Sequence, residues 1–280
     1  MKLNLSAELT YTTFEPCVIV LNIHASRGPQ VIIEENFIVT GDQHFTEIPS
    51  FPDNNRLIRI NTNSPGQIHC SYTATVDNHF TIIDCEGAAP VNVGTLPPEI
   101  LNYLNPSRYC QSDKLYRLAN HQFGKIENDF EKVLAITEWI YQNVEYLNGS
   151  TNAETSAYDT VTQQAGVCRD FAHLGTALCR AITIPARYCA VYAYQLIPQD
   201  FHACFEAYIA GRWVIFDATK LAPLNGMARI AVGRDAADTA IASLFGNVTG
   251  DYLMVGAQSA DNNFVPHFYS EGSYKGISYE

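Results

Sequence analysis

At the start of the chain Leu3, Leu5, Ala7, Leu9 and Tyr11 alternate with Lys2, Asn4, Ser6, Glu8 and Thr10. A period of two gives a strand one face for a core and one for water. Further strand-like runs follow at residues 17–23, 30–40, 56–61, 67–76 and 79–84, divided by Gly28-Pro29, Pro52-Asp53-Asn54-Asn55, Ser64-Pro65-Gly66 and Asp77-Asn78. Short strands with turn residues at this spacing predict an antiparallel β-sandwich over residues 1–95.

The pattern changes after a boundary running from Pro90 to Pro106, which includes Pro97-Pro98. A helix is predicted to begin near Ser112. A second is predicted where Phe130, Val133, Leu134, Thr137, Ile140, Tyr141 and Val144 keep helical spacing, with Asn128 and Glu131 as a cap pair at its start. In a third, Cys168, Phe171, Ala172, Gly175, Leu178, Cys179 and Ile182 recur at intervals of three and four, which places Cys168 in the first turn. Two short apolar runs, 202–209 and 212–217, then meet at Ala210-Gly211 and predict a β-hairpin. Beyond about residue 260 the chain is polar and rich in Gly, Ser and Tyr, which suggests a strand remnant or a loose tail. The reading is a two-domain α+β protein: a sandwich over 1–95, a second domain over 96–265 and a tail over 266–280.

The candidate chemistry lies in the second domain. Unpaired N–H groups and the positive end of the dipole at a helix start favour an anion, so a thiol there is a better candidate nucleophile than one elsewhere. A hairpin can bring His202 and Asp217 side by side. Cys168, His202 and Asp217 thus follow one another in the order a thiol hydrolase needs. Each also has a plainer reading: a small core hydrophobe, a hydrogen-bonded structural histidine, and a turn residue ending a strand. His173 lies five residues along the helix from Cys168, which turns it roughly 140° away. Asp170 is turned about 200° away and reads as a first-turn carboxylate supporting the helix start.

The stretch from Gly166 to Thr219 resembles the transglutaminase-like superfamily, specifically its bacterial branch of candidate cysteine proteases. The residues that carry the resemblance are Gly-Val-Cys-Arg-Asp-Phe-Ala-His-Leu at 166–174, Ile-Pro-Ala-Arg at 184–187, His-Ala at 202–203 with Glu206, and Gly-Arg-Trp at 211–213 leading to Phe-Asp-Ala-Thr at 216–219. The run from Ile230 to Asp238 resembles that branch as well, and residues 1–95 resemble the β-rich region found before the core in bacterial relatives. The resemblance implies a papain-like transglutaminase core, with the cysteine-bearing helix packed on an antiparallel sheet. By the same resemblance Cys168 is the nucleophile, His202 the base and Asp217 its orienter. A thioester formed on Cys168 and resolved by water gives a protease or amidase, the expected outcome; resolved by an amine, it gives a transglutaminase. A third reading is a protein-binding module without turnover.

One position departs from the pattern: the family usually follows His-Ala with Trp, where this chain has Cys204. Strand alternation puts Cys204 on the His202 side with Glu206 and Tyr208, leaving Ala203, Phe205, Ala207 and Ile209 for the core. Cys204 either fills space or forms a redox-sensitive pair with Cys168. Besides the Cys168 backbone N–H, candidates for a second oxyanion donor are Gln164, Tyr158 and Trp139.

Composition narrows the partners. A hydrophobic fraction of 47% with 16% charged residues argues for a folded globular chain rather than disorder. The net charge of −12 argues against nucleic acid and anionic membrane surfaces, whose charge would repel it. A peptide or protein amide is the expected partner. No apolar run approaches the roughly 20 residues of a membrane span, and the N-terminus reads as a strand rather than a signal peptide. Eight cysteines without CxxC pairs suggest reduced thiols in a cytoplasm, with no metal site and no cofactor.

Overall fold

The fold was analysed in a computed structural model, which describes residues 1–41, 43–50, 53, 55–261, 263–270 and 272–280. Pro52 and Asn54, two of the expected turn residues, lie outside the described residues.

The first half supplies strands β1 (Lys2–Thr13), β2 (Val18–Leu21), β3 (Val31–Val39), β4 (His44–Pro49), β5 (Arg56–Asn61), β6 (Gly66–Asp77) and β7 (Thr81–Asp84). Along β1 every second side chain is buried, as the alternation requires. His44–Pro49 is a strand that alternation did not mark, because its side chains are half-buried or exposed and carry no inward stripe.

Helices α1 (Pro98–Leu101), α2 (Ser112–Phe123) and α3 (Asp129–Asn143) follow the proline-rich boundary. The Asn128 side chain caps α3 by accepting from the N–H groups of Phe130 and Glu131 at 2.9 and 3.1 Å. Then come β8 (Glu145–Tyr146), α4 (Ala157–Gln163), β9 (Ala165–Gly166), α5 (Cys168–Ala181), β10 (Ala186–Ala193), β11 (Phe201–Ile209), β12 (Arg212–Phe216) and β13 (Met227–Gly233). The chain ends with β14 (Ala242–Phe245), β15 (Val248–Ser259) and β16 (Lys275–Ser278).

Three four-stranded antiparallel sheets result, ordered β15-β1-β6-β3, β14-β2-β5-β4 and β12-β11-β10-β13. The first two face each other across a core that contains Leu3, Leu9, Ile19, Leu21, Ile58, Ile60 and Tyr72. Residues 242–259 thus complete sheets begun by the first 77, an arrangement that a division of the chain at residue 95 does not anticipate. The tail also joins the fold: β16 pairs with β7, Ile277 is fully buried, and the Tyr279 hydroxyl donates to the Leu224 carbonyl at 2.6 Å.

The sandwich core continues into the third sheet through Tyr188, Ala190, Tyr192 and Ile230. Polar contacts fix the junction, with Tyr192 donating to the Ile23 carbonyl at 2.7 Å and Asn55 exchanging two hydrogen bonds with the Val232 backbone. On the third sheet α5 packs against β11 at close range. A Cβ on Gly175 would meet the Phe205 ring at 2.4 Å, so glycine is what lets the helix approach.

Candidate functional site

Local geometry sets Cys168 as the first residue of α5. The helix start is braced by Asp170, whose carboxylate accepts from the Val167 N–H at 2.9 Å and from the Thr151 hydroxyl at 3.1 Å. Gly166 makes room for this brace, since a Cβ there would sit 2.7 Å from the Asp170 side chain. Asp170 therefore has the supporting place expected of it. Of the eight free thiols Cys168 alone is partly exposed; the other seven are buried.

The β11–β12 hairpin turns at Ala210 and Gly211, both with positive φ (52° and 76°), as a two-residue loop joining right-twisted strands requires. Its register pairs Phe205 with Phe216. Continued past the end of β12, that register sets Cys204 opposite Asp217 and His202 one diagonal away on the same face. His202 and Asp217 are both buried, and His202 Nε2 lies 2.9 Å from Asp217 Oδ2. The second carboxylate oxygen accepts from the Thr219 N–H at 2.9 Å and the Thr219 hydroxyl at 2.7 Å.

An ionised carboxylate only accepts, so Nε2 carries the proton of this hydrogen bond and Nδ1 is the nitrogen left for another partner. Cys168 lies close enough to the same imidazole to favour its protonated form. Burial by itself would push the His202 ring toward neutrality, but the Asp217 charge and the contacts with Cys204 and Cys168 prevail and raise it well above its ordinary value. Burial likewise opposes ionisation of Asp217, yet His202 and the two Thr219 bonds hold its carboxyl below the usual range. The structure thus brings together all three residues singled out in the sequence.

His173 lies elsewhere. Its Nε2 accepts from the Ala236 N–H at 3.1 Å and its ring stacks on Tyr109 with centroids 5.1 Å apart. Burial, together with Arg169 and Arg180, pushes it toward the neutral form.

Two candidates for the second oxyanion donor have other contacts: Tyr158 is exposed beneath Lys114 and Trp139 packs edge-on against Phe123. The third, Gln164, ends α4 in a left-handed conformation with its backbone carbonyl bonded to the Glu145 N–H. The residue at the thiol is Tyr146. Strand β8 pairs in parallel with β9, Tyr146 against Gly166, two residues before Cys168. Tyr146 stands close to Cys168, and burial, followed by the nearby thiol, raises its pKa. The only sequence signal is an aromatic residue ahead of the Gly-Val-Cys motif. Two-residue strands leave no periodicity to read.

Cys204 is buried on the His202 face, as alternation predicted, with its Sγ 3.7 Å from the Met227 sulfur. Burial, reinforced by the Asp217 charge, pushes its thiol up to about 12. Glu206, on the same face, is fully buried and salt-bridged to Arg187 of β10 and Arg229 of β13, so it ties three strands together. A cavity of about 530 Å³ adjoins Asp217 and is lined by Leu134, Glu138, Lys220, Leu224 and Tyr269; neither Cys168 nor His202 lines it.

Residues 116–218 match the transglutaminase-like superfamily, and residues 1–99 match the bacterial transglutaminase N-terminal domain. The solved structure of a candidate cysteine protease from Cytophaga hutchinsonii is 52% identical to this chain, with a TM-score of 0.97, over 99% of this chain and 97% of that one. The chain belongs to the transglutaminase-like superfamily. This transglutaminase-like chain is also 26% identical to an uncharacterized protein of Mycobacterium leprae over 145 residues, 49% of this chain and 52% of that relative. It therefore spans about half the length of the curated relative it matches. No helix among the described residues is long and apolar enough to cross a membrane.

Proposed function

We propose that the protein is a cysteine-dependent amide hydrolase working through Cys168, His202 and Asp217. The observation that carries this reading is the His202–Asp217 pair, with Nε2 held by Asp217 at 2.9 Å and Cys168 beside the same ring. In the proposed reaction the Cys168 sulfur attacks an amide carbonyl carbon, and the proton of the thiol passes to His202. The resulting oxyanion is held by the Cys168 N–H and the nearby Tyr146 hydroxyl. Collapse breaks the C–N bond, His202 protonates the leaving amine, and a thioester remains on Cys168. Water, deprotonated by His202, attacks the thioester; carboxylic acid leaves and the thiol is restored. Asp217 stays ionised throughout and fixes the imidazole.

The substrate class is a peptide or protein amide, and the eight free thiols support a reducing compartment such as the cytoplasm. Acyl transfer to an amine is the second reading, favoured by the match of residues 1–99 to the bacterial transglutaminase N-terminal domain. The test is incubation with a peptide library, followed by mass spectrometry for cleaved or deamidated products and for an acyl group on the Cys168 peptide. Products formed by the wild type and absent with Cys168→Ala support the proposal. Equal product with both proteins rejects it.

A further inference from the structure

We infer that His202, Cys204 and Asp217 form a binding site for a soft divalent metal ion of the Zn2+ class, and that occupancy of this site turns the Cys168 chemistry off. One ligand atom from each of the three side chains lies within 4.8 Å of the others, and all three residues are buried. The hairpin register sets this grouping: continued past β12 it puts Cys204 across from Asp217, with His202 diagonal to Asp217 and two residues from Cys204 on the same strand face. An imidazole nitrogen, a thiolate and a carboxylate are the donors that Zn2+ takes, with bonds of about 2.0–2.3 Å. Tetrahedral bonds of that length require donors about 3.3–3.8 Å apart, so the side chains need move by no more than about 1 Å. A fourth donor is at hand in Cys168, which lies beside the same imidazole. The Cys204 Sγ lies 3.7 Å from the Met227 thioether.

The step involves no redox change. The ion enters as a dication, Cys204 S–H releases its proton to water, and the thiolate, the imidazole and the Asp217 carboxylate bind the ion. If the metal takes Nε2, the ring keeps one proton, which moves to Nδ1, and any second ring proton goes to water; if it takes Nδ1, it displaces Cys168. In both cases the imidazole can no longer accept the Cys168 proton. The binding claim stands on the three donors alone, whereas the inhibition claim rests on the hydrolase reading above.

Co2+ provides a readout independent of turnover. Titration of the reduced protein should saturate at one equivalent, with thiolate-to-cobalt charge transfer in the near ultraviolet and the intense visible bands of tetrahedral cobalt. Cys204→Ala should lose the charge-transfer band and bind at least tenfold more weakly, while Cys168→Ala should keep the band. Cys204→Val, close in volume and apolar, replaces the alanine variant if that one fails to fold. Zn2+ should suppress hydrolysis by the wild type reversibly, with recovery on chelation, and leave the folded Cys204 variant active. Cobalt spectra unchanged in the folded Cys204 variant would overturn the site. Equal Zn2+ inhibition of wild type and that variant would place the ion on Cys168 and overturn it too. A wild-type protein that binds cobalt as described but never hydrolyses an amide would uphold the site while removing the hydrolase reading.

Discussion

His202 and Asp217 meet at 2.9 Å although 15 positions separate them in the chain, because one hairpin register places them diagonally on one sheet face. The bond commits Nε2 and leaves the other ring nitrogen for the thiol. Asp217→Asn preserves the shape but can stabilise the other tautomer. Turnover should fall by about 10⁴, as in serine triads. The fold should survive at a cost of about 1–3 kcal/mol, since His202 can become neutral instead of remaining an unpaired buried charge. Steady-state kinetics and thermal melts check both, and near-normal turnover would remove Asp217 from the mechanism.

The same pair predicts a pH dependence of stability. Asp217 ionises more readily folded than unfolded, so its contribution is present above the ordinary carboxyl value near 3.8 and is lost as pH falls through the lower folded value. His202 is shifted up, so its contribution is complete below the ordinary value near 6.5 and is lost as pH rises through the higher folded value. In denaturant melts across pH, the stability difference between wild type and Asp217→Asn should be widest between these limits and shrink on both sides. A difference independent of pH contradicts the charged pair.

Tyr146→Phe removes one of the two donors proposed for the oxyanion and keeps the ring that packs against Phe171 with centroids 5.8 Å apart. Turnover should drop by about 10²–10³, with KM little changed. An unchanged kcat would mean that the hydroxyl merely fills the space beside Cys168.

Gly175→Ala tests how the fold positions the site. The added methyl meets the Phe205 ring at 2.4 Å, so α5 must move away from β11. Overpacking of this kind costs about 1–3 kcal/mol. The melting temperature should fall, and so should turnover, because the helix carries Cys168 and the strand carries His202. Loss of stability with full turnover would show that the site tolerates a shift of α5.

Features with local causes were legible in the sequence. The start of α5 at Cys168, the Ala210-Gly211 turn and the alternation in β1 each follow from spacing within one element and appear where expected, although α5 is buried on nearly every side from Asp170 to Ala181 rather than along one stripe. What was not legible depends on long-range pairing. Strands β14 and β15 find β2 and β1 across more than 200 residues, and nothing local in Val248–Ser259 names its partner. The Lys275–Ser278 strand is too short to stand out from a polar tail, yet it buries Ile277. Tyr146 comes beside the thiol only because β8 runs beside β9, a pairing that the sequence does not mark.

The central claim is that the imidazole of His202 activates Cys168, and the most direct measurement is the rate of Cys168 alkylation. Because the other seven thiols are buried, exposure alone would already make Cys168 label first, so the comparison must be between wild type and His202→Ala. With limiting iodoacetamide near neutral pH and peptide-level mass spectrometry, Cys168 in the folded wild type should react at least about tenfold faster than in folded His202→Ala, since the thiolate is the reactive form and an imidazolium beside it stabilises that form. Equal rates in the two folded proteins would contradict the account.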